Sequence, residues 1–494
     1  MLNSRISDHA IGEIIRVNST SIEIDLTMDV SKAHINIHLK GYPVSIHQYV
    51  YAYLPSHQII ICRIYDVFDK TKLENKVLFK SKNEIQYSAE ANFIAIYNPD
   101  DKKSDIGINT FPIIGSEVFV CSSDMIETLF EQKKDTSINI EIGSSYINPM
   151  VKVKANPNIL FGKHLGIFGN TGTGKSCTLT SLIQGFSNRI DYYKETNFSK
   201  PKIILFDVNG EYKNTFNNSN FISKSNLKLP HSILEKSEYC KLFQASPGIQ
   251  APILEKILEN SFTITNLNSL LKNQIGSDKK TLEWCNTLFE RIDSINLRKD
   301  LISIIDCDIK LNTIDEIFKN EFLVNIIEAD FDSLEFEIIT FLICKYVYLK
   351  NSKRDSRKDI IIVFDEAHRY INEKTDDNRL GNYYVERLAR EGRKYGIGLI
   401  IASQRPSELS KTVISQCNSF IVHRIGHKAD LEFIYNVMNT SHSSIVKSIP
   451  SLQKQYAVAF GEAFNTPDII KIADANPTPD SSDPELFKIE KTKE

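Results

Sequence analysis

The stretch Gly169–Ser176, with the sequence Gly-Asn-Thr-Gly-Thr-Gly-Lys-Ser, constrains this chain more than any other feature. It fits the pattern G-x-x-x-x-G-K-S of a phosphate-binding loop. The apolar run 164–168 before it predicts a buried strand, and 177–186 continues with apolar residues at helical spacing. A strand, a glycine loop and a helix in this order direct backbone N–H groups and a helix N-terminus at an anion. The context therefore favours a nucleotide site over a plain glycine turn.

The loop also predicts individual roles. Lys175 is expected to reach the β- and γ-phosphates, and Ser176 to hold Mg²⁺. The residues expected to contact the nucleotide are Gly169, Asn170, Thr171, Gly172, Thr173, Gly174, Lys175, Ser176 and Cys177.

Composition limits the class of protein. A chain of 494 residues predicts two or three domains, and its 41% hydrophobic and 24% charged residues are typical of soluble globular proteins. The net charge of −3 neither favours nor excludes a nucleic-acid partner, because a basic channel can lie within a balanced total. The eight cysteines are scattered without metal-ligand spacing, which indicates reduced thiols. No signal-peptide core opens the chain and the apolar stretch 336–349 is too short to span a bilayer, so we expect a cytoplasmic protein without a membrane partner.

Short alternating segments dominate the first 150 residues. They predict strands near 11–17, 21–26, 34–39, 50–54, 58–65, 93–97 and 116–120, which suggests a small antiparallel barrel. A connector follows, with a short helix at 125–132 and a strand at 137–142. His34, His38 and His47 are too widely spaced to argue for a metal site. We expect this domain, 1–150, to serve assembly or docking.

From residue 151 strands and helices alternate, which is the signature of a parallel sheet. The expected ATPase core comprises 151–212 and 320–475, interrupted at 213–319 by a helical insertion. The tail 476–494 is rich in Pro, Ser and Asp and is expected to be an extended arm or disordered. The strand 202–206 leads into Asp207-Val-Asn-Gly-Glu-Tyr, where Glu211 could reach the ligand crevice or could simply belong to an Asn-Gly turn.

A second apolar strand, 359–364, ends in Asp365-Glu366. Asp365 can accept a hydrogen bond from Mg²⁺-bound water or from Ser176, and Glu366 can take the proton of the attacking water. Two carboxylates at the end of a buried strand are costly unless a cation lies nearby.

The helix predicted at 382–395 is rich in arginine. Its i,i+4 pairs with glutamate fit a solvated surface helix, whereas an arginine finger for a neighbouring subunit is the functional alternative. The next strand, 396–403, ends at Gln404, an amide able to sense the γ-phosphate or orient the water.

These residues together resemble the HerA family of FtsK–HerA ATPases. Ordered motifs carry the resemblance over nearly the whole chain, at 161–164, 169–176, 206–212, 364–368, 389–396, 401–406 and 424–430. The resemblance implies an α/β fold with a RecA-like P-loop core and parallel central sheet, a small N-terminal β-barrel similar to the family's own, and a helical-bundle insertion. It also implies a hexameric ring that hydrolyses ATP with Mg²⁺ and translocates double-stranded DNA through a central channel.

Matched position by position, the resemblance assigns further roles. Lys175 and Ser176 would bind phosphate and Mg²⁺, and Asp365 and Glu366 would be the metal-organising and catalytic acids. Gln404 would be the sensor, Glu211 would lie near the nucleotide, and either Arg390 or Arg393 would be the arginine supplied in trans. Many relatives carry Arg where this chain has Lys163, which keeps the charge but loses bidentate phosphate geometry.

The resemblance further implies a separately encoded effector docked on the barrel. An Asn-, Lys- and Ile-rich composition suggests a bacterial source and favours anti-phage defence with a nuclease. The alternatives are DNA-end resection with a NurA-type nuclease, or a platform that mainly activates an effector such as a sirtuin-like NADase. A conjugation or chromosome-segregation pump is disfavoured because no membrane-spanning segment is predicted.

Overall fold

A computed structural model of the chain describes residues 10–26, 44–69, 87–131, 138–192, 201–259, 261–354, 357–373, 380–438 and 440–481. The predicted strand at 34–39, with His34 and His38, lies outside these residues. The chain divides into two units: unit 1 contains Met1–Asn156 and Ile421–Ala473, and unit 2 contains Pro157–Phe420 and Asp474–Glu494. No helix within the described residues is both long and apolar enough to cross a membrane.

The strands of the described residues are, in chain order, β1 Gly12–Val17, β2 Ser21–Leu26, β3 Tyr49–Tyr53, β4 Ile59–Asp69, β5 Tyr87–Asn98, β6 Lys103–Ile106, β7 Glu117–Val120, β8 Ile140–Ser145, β9 Lys152–Ala155, β10 Leu165–Phe168, β11 Lys202–Asp207, β12 Ser219–Ile222, β13 Val324–Glu328, β14 Ile360–Phe364, β15 Ile397–Ser403, β16 Ser419–Val422, β17 Tyr456–Gly461 and β18 Asp468–Ile472.

The α-helices are α1 Ser123–Phe130, α2 Pro157–Leu160, α3 Lys175–Tyr192, α4 Lys236–Leu242, α5 Gln250–Ile257, α6 Leu267–Ile275, α7 Lys279–Trp284, α8 Asn286–Asn296, α9 Lys299–Ile305, α10 Thr313–Lys319, α11 Ser333–Asn351, α12 Tyr383–Glu391, α13 Lys411–Ser415 and α14 Lys428–Val437. Segments of 3-10 helix occur at His231–Ile233, Ile309–Leu311, Ala367–Arg369, Gly392–Tyr395, Pro406–Glu408 and Thr440–Ser451.

Unit 1 contains a closed β-barrel. Its strand order is β2-β1-β7-β3-β4-β5, and β2 pairs back onto β5. Alternate residues such as Ile14, Ile24 and Ile60 point inward and are fully buried, which is why these segments alternate in sequence. Closure leaves no strand edge unpaired in the ring. The predicted small antiparallel barrel is confirmed, and the short polar strand β6, which the pattern did not predict, pairs with β5.

A buried charge pair connects the barrel to β18 within unit 1. Arg63 on β4 and Asp468 on β18 are 1% and 2% exposed, and Arg63 Nη1 lies 3.7 Å from Asp468 Oδ1. Arg63 also donates to the carbonyl of Pro467, and Ser145 Oγ donates to Asp468 Oδ2 at 3.2 Å. Burial raises the pKa of Asp468 to about 6, although Arg63 and the hydrogen bond from Ser145 favour its charged form.

Unit 2 is built around a parallel sheet. The strand order is β12-β13-β11-β14-β15-β10, and every neighbouring pair is parallel. The four strands β10, β11, β14 and β15 are buried along their length, as continuous apolar runs in a sheet covered on both faces should be. The predicted RecA-like α/β core is confirmed. β15 lies between the strand that precedes the phosphate loop and the strand that ends in Asp365-Glu366.

Close packing explains a glycine inside β15. A Cβ atom on Gly398 would stand 2.2 Å from the carbonyl oxygen of Phe161, so no side chain fits there. Helices α4–α10 lie between β12 and β13, consistent with the helical pattern in this stretch. The strand β12 was not predicted, because its four residues Ser-Asn-Phe-Ile carry too short a pattern.

The described part of the C-terminal tail contacts unit 2. The N–H of Asn476 donates to Gln184 Oε1 at 2.8 Å, and Gln184 Nε2 donates to the carbonyl of Pro477 at 2.9 Å. Farther along, the N–H of Asp480 donates to the carbonyl of Glu211 at 3.0 Å. The tail thus reaches the loop that follows β11.

Candidate nucleotide-binding site

The phosphate loop connects β10 to α3. Gly172 and Gly174 have φ of +72° and +118°, which glycine adopts without strain. Thr173 steadies the loop because its Oγ1 donates to the carbonyl of Asn170 at 2.7 Å. The first turn of α3 carries no acidic residue, so its amide groups keep the positive potential that attracts phosphate.

Lys175 begins α3 and is 6% exposed. Its Nζ donates to the carbonyl of Asn170 at 3.4 Å and lies 3.8 Å from Glu366 Oε1. Burial lowers the pKa of Lys175, while Glu366, Asp365 and Glu211 raise it. The ammonium therefore lies between the loop and the acidic residues of the site.

Asp365 and Glu366 follow β14 and are 2% and 6% exposed. Glu366 has φ +45°, a left-handed conformation that is uncommon for a side chain of this size and is typical of functional sites. Its N–H donates to Asp365 Oδ1 at 3.0 Å, while the hydroxyl of Tyr212 donates to Asp365 Oδ2 at 3.0 Å. Burial, Glu366 and Glu211 together raise the pKa of Asp365 to about 7.

Gln404 joins the phosphate loop to the acidic pair. Its Nε2 donates to Glu366 Oε1 at 2.6 Å, and its Oε1 accepts from Thr171 Oγ1 at 2.6 Å. The strand order explains this position, because β15 ends between the carboxyl ends of β10 and β14. Gln404 thus lies where it could sense a γ-phosphate or orient a water near Glu366.

The loop after β11 is both a turn and part of the site. The carboxylate of Asp207 accepts from the N–H groups of Glu211 and Tyr212 at 2.9 and 3.1 Å, and Gly210 has φ +75°. The same turn brings Glu211 close enough to influence the charges of Asp365 and Lys175. The turn is therefore observed, and contact of Glu211 with a nucleotide stays a prediction.

The residues present fit a divalent cation. Among the described residues, Glu211 Oε2 and Glu366 Oε2 are buried and accept no hydrogen bond, and the charges of Glu366, Asp365 and Glu211 all act on the Lys175 ammonium. Within the described residues no group of three or more His, Cys, Asp or Glu side chains is placed to hold a metal ion on its own. An ion here would need Ser176 and phosphate oxygens as well as Asp365, and Mg²⁺ commonly binds with few protein ligands.

Sequence reasoning assigned no role to three residues that touch the acidic pair. Tyr212 and Tyr370 bind the two ends of Asp365, since the hydroxyl of Tyr370 donates to its backbone carbonyl at 2.7 Å. His368 Nδ1 lies 3.4 Å from Glu366 Oε2 and 3.3 Å from Ser403 Oγ, and burial lowers its pKa. Only the Asp-Glu-Ala-His spacing hinted at His368, because its contact depends on the 3-10 segment Ala367–Arg369.

The arginines lie near the amino ends of the strands, opposite the carboxyl ends where the phosphate loop lies. Arg393 Nη2 donates to the carbonyls of Lys163 and Gln416 at 3.1 and 3.0 Å, and also binds Asn418 Oδ1. Lys163 precedes β10 and the phosphate loop follows β10. The four residues of β10 therefore separate Lys163 from the loop by roughly 13 Å, at 3.3 Å per residue. Neither Arg393 nor Lys163 is brought to the phosphate loop of its own chain.

Arg390 also lies near the amino ends of the strands, because the carbonyl of its neighbour Ala389 contacts His164 Nε2 at 3.0 Å and His164 precedes β10. The Arg390 side chain is 49% exposed and its Nη1 lies 3.9 Å from Glu386 Oε2. It is far less restrained than Arg393.

Comparison with known proteins agrees with this geometry. Residues 140–347 match the family described as helicase HerA, central domain. The central part of the chain thus matches the HerA family, and the chain is a P-loop ATPase. The match begins in β8 and includes the phosphate loop, so the resemblance drawn from the sequence is confirmed.

Curated HerA proteins match over most of the chain. The DNA double-strand break repair helicase HerA of Sulfolobus acidocaldarius is 27% identical over 454 residues, covering 85% of each chain. The protein of the same name from Saccharolobus solfataricus is 27% identical and covers 73% of each chain. Among solved structures, VirB4 of Thermoanaerobacter pseudethanolicus has a TM-score of 0.52 at 15% identity, covering 70% of this chain and all of that one, which supports the fold alone.

Proposed function

We propose that this HerA-type ATPase is the subunit of a ring-shaped, Mg²⁺-dependent motor that translocates double-stranded DNA. One observation supports a ring: the arginine-bearing helix and the phosphate loop lie at opposite ends of the strands of the same sheet. An arginine there can complete only a neighbour's site. A head-to-tail contact that repeats and closes gives a cyclic oligomer, and the family resemblance makes a hexamer the expected form.

The site residues divide the work of hydrolysis. Amide groups of the loop and Lys175 would hold the phosphates, and Ser176 and Asp365 would hold Mg²⁺, which neutralises charge on the β- and γ-phosphates. Glu366 is the proposed proton acceptor for the attacking water, and Gln404, which already contacts Glu366, is the residue proposed to orient that water.

Arg390 is the better candidate for the trans arginine. Arg393 uses its guanidinium on three acceptors of its own chain. Among the described residues Arg390 has one weak and exposed partner, which it can exchange for a phosphate at little cost. Lys163 lies at the same end of the strands as the arginines, so the proposal gives it no contact with the nucleotide bound by its own chain.

Duplex DNA is proposed as the substrate because relatives spanning 73–85% of the chain are named DNA double-strand break repair helicases. Grip through the phosphate backbone would make the response to DNA strongly salt-dependent and nearly independent of sequence. Whether the strands are separated would follow from a displacement assay on the same DNA.

The test is ATP hydrolysis with and without duplex DNA at low and moderate salt, alongside the oligomeric mass in solution. We expect a ring whose hydrolysis is stimulated by DNA, with stimulation lost as salt increases. Lys175→Ala is the control that abolishes hydrolysis. Full activity in a monomer that ignores DNA would refute the proposal.

An effector docked on the barrel is the second part of the proposal, and an exposed apolar surface supports it. Tyr51, Tyr53 and Phe119 form an aromatic cluster on β3 and β7, with ring centroids 5.3–6.0 Å apart. Tyr53 is 53% exposed, and Ile113 and Ile114, in the segment before β7, are 59% and 63% exposed. Exposed aromatic and aliphatic groups of this kind are typical of protein interfaces.

The proposed effector is a nuclease acting in anti-phage defence. A NurA-type nuclease for DNA-end resection and a sirtuin-like NADase remain the alternatives. Pulldown with the wild-type chain and with Tyr53→Ser, followed by identification and mass photometry, separates them. A partner retained equally by both would place docking elsewhere, and no partner at all would refute an effector.

A further inference from the structure

Tyr212 is a fully buried residue at the centre of the site that the predicted chemistry leaves without a task. It follows Glu211 in the loop after β11, and its side chain is 0% exposed. Its hydroxyl donates to Asp365 Oδ2 at 3.0 Å, and the side chain of Ser176 lies close enough to interact with it. One hydroxyl thus binds one of the residues proposed to hold Mg²⁺ and lies beside the other.

The sheet alone does not fix the distance between those two residues. Ser176 follows β10 and Asp365 follows β14, and β15 lies between these strands. Two strand spacings amount to roughly 10 Å, so the side chains must converge across the end of β15. Tyr212 approaches from β11, on the other side of β14, with a ring that burial holds rigid.

We propose that Tyr212 is a positioning residue that sets the Ser176 hydroxyl and the Asp365 carboxylate at the separation a shared Mg²⁺ requires. This inference rests on the proposed Mg²⁺–nucleotide site. Hydrogen-bonding partners that orient metal ligands typically change metal affinity 10- to 100-fold when they are removed. The proposed role of Tyr212 is exerted through these two side chains rather than by contact with the nucleotide.

Other buried tyrosines of unit 2 show what a structural hydroxyl does here. Tyr370 donates to the backbone carbonyl of Asp365, and Tyr346 donates to the carbonyl of Pro230 at 2.7 Å. Both satisfy a main-chain acceptor. Tyr212 instead binds the side chain of Asp365 and lies beside that of Ser176 on a separate element, which is the pattern expected of a residue that adjusts a site.

The test compares Tyr212→Phe with Tyr346→Phe, each of which removes one buried hydroxyl and keeps the ring. Mn²⁺, observed by electron paramagnetic resonance in the presence of saturating ADP, serves as the probe for the metal. We expect Tyr212→Phe to bind Mn²⁺ about 10- to 100-fold more weakly. Its affinity for ADP in EDTA should stay within about two-fold of wild type, because a hydroxyl that orients metal ligands contributes little to metal-free binding.

The control should bind both Mn²⁺ and ADP as the wild type does. Wild-type Mn²⁺ affinity in Tyr212→Phe would overturn the inference, as would an equal loss of metal-free ADP binding, since that would indicate a general disturbance of the fold. A wild-type chain that binds no Mn²⁺ with ADP would instead refute the proposed nucleotide site. ADP binding in EDTA also verifies that each variant is folded.

Discussion

Replacing Glu366 by glutamine should weaken hydrolysis and strengthen nucleotide binding at the same time. Glu366 lies 3.8 Å from Lys175 Nζ, and both side chains are less than a tenth exposed. At an effective dielectric constant of about 20, this separation corresponds to roughly 4 kcal/mol of attraction. A nucleotide phosphate must draw Lys175 away from Glu366, so part of that attraction opposes binding.

Glu366→Gln removes the competing charge while an amide oxygen can still accept from Gln404. If one to two thirds of the attraction is recovered, metal-free nucleotide should bind about 10- to 100-fold more tightly. Loss of the proton acceptor should lower the hydrolysis rate by about 10²- to 10⁴-fold. Titration with a fluorescent ADP in EDTA measures the first effect, and phosphate release measures the second.

Glu373→Gln provides the matched control. Glu373 Oε1 lies only 2.6 Å from Lys411 Nζ, but the two side chains are 43% and 77% exposed. Exposed pairs contribute about 0–1 kcal/mol, so this variant should bind and hydrolyse nucleotide as the wild type does. If Glu366→Gln binds no more tightly than Glu373→Gln, Glu366 does not oppose nucleotide binding; if the variant retains hydrolysis within tenfold of wild type, Glu366 is not the proton acceptor.

Three further predictions concern the rest of the chain. Arg390→Ala should lower ATPase activity by about 10³-fold or more, also when mixed with wild-type subunits, whereas Arg393→Ala should mainly lower the melting temperature; the reverse pattern would identify Arg393 as the trans residue. Asp468 has a pKa of about 6 against an ordinary 3.8, so the stability that its raised pKa contributes is complete below pH 4 and is lost as the pH rises through 6. Asp468→Asn should lack this loss, which amounts to about 3 kcal/mol between pH 4 and 8 in urea unfolding. Parallel pH curves for the variant and the wild type would contradict this prediction. Gly398→Ala should destabilise unit 2 by several kcal/mol because its Cβ would lie 2.2 Å from a backbone oxygen, while Gly248→Ala, with no atom within 4 Å, should melt as the wild type does.

Long periodic patterns predicted most of the fold. The apolar strands β10, β11, β14 and β15 were located from sequence to within about two residues, because strands buried on both faces leave an unbroken apolar run. Alternation likewise predicted most of the barrel strands. The strands β6, β9, β12 and β18 were not predicted. β6 and β12 are short segments without clear apolar alternation, and Ser219 of β12 pairs with Val324, far along the chain.

In the candidate site, too, residues in local motifs could be predicted and residues defined by long-range contacts could not. Local motifs pointed to Lys175, Asp365 and Glu366, which the structure brings together. Tyr212 could not be assigned in advance, because its importance arises from a hydrogen bond between the loop after β11 and the end of the neighbouring strand β14. Spacing also could not separate Arg390 from Arg393. Their difference lies in how many acceptors of the same chain each guanidinium meets, which only three-dimensional packing decides.

The buried pair in unit 1 imposes an order on folding during synthesis. Arg63 can form its final contacts only after the carbonyl of Pro467, 404 residues farther along the chain, and the carboxylate of Asp468 have been synthesised. At 5–20 residues per second, roughly 20–80 seconds pass before a ribosome delivers them. During that interval the nascent barrel must keep hydrated an arginine that it will finally bury, so its last packing step occurs only after residues 157–420 of unit 2 have been translated. A fragment ending before Pro467 would remain permanently at that stage.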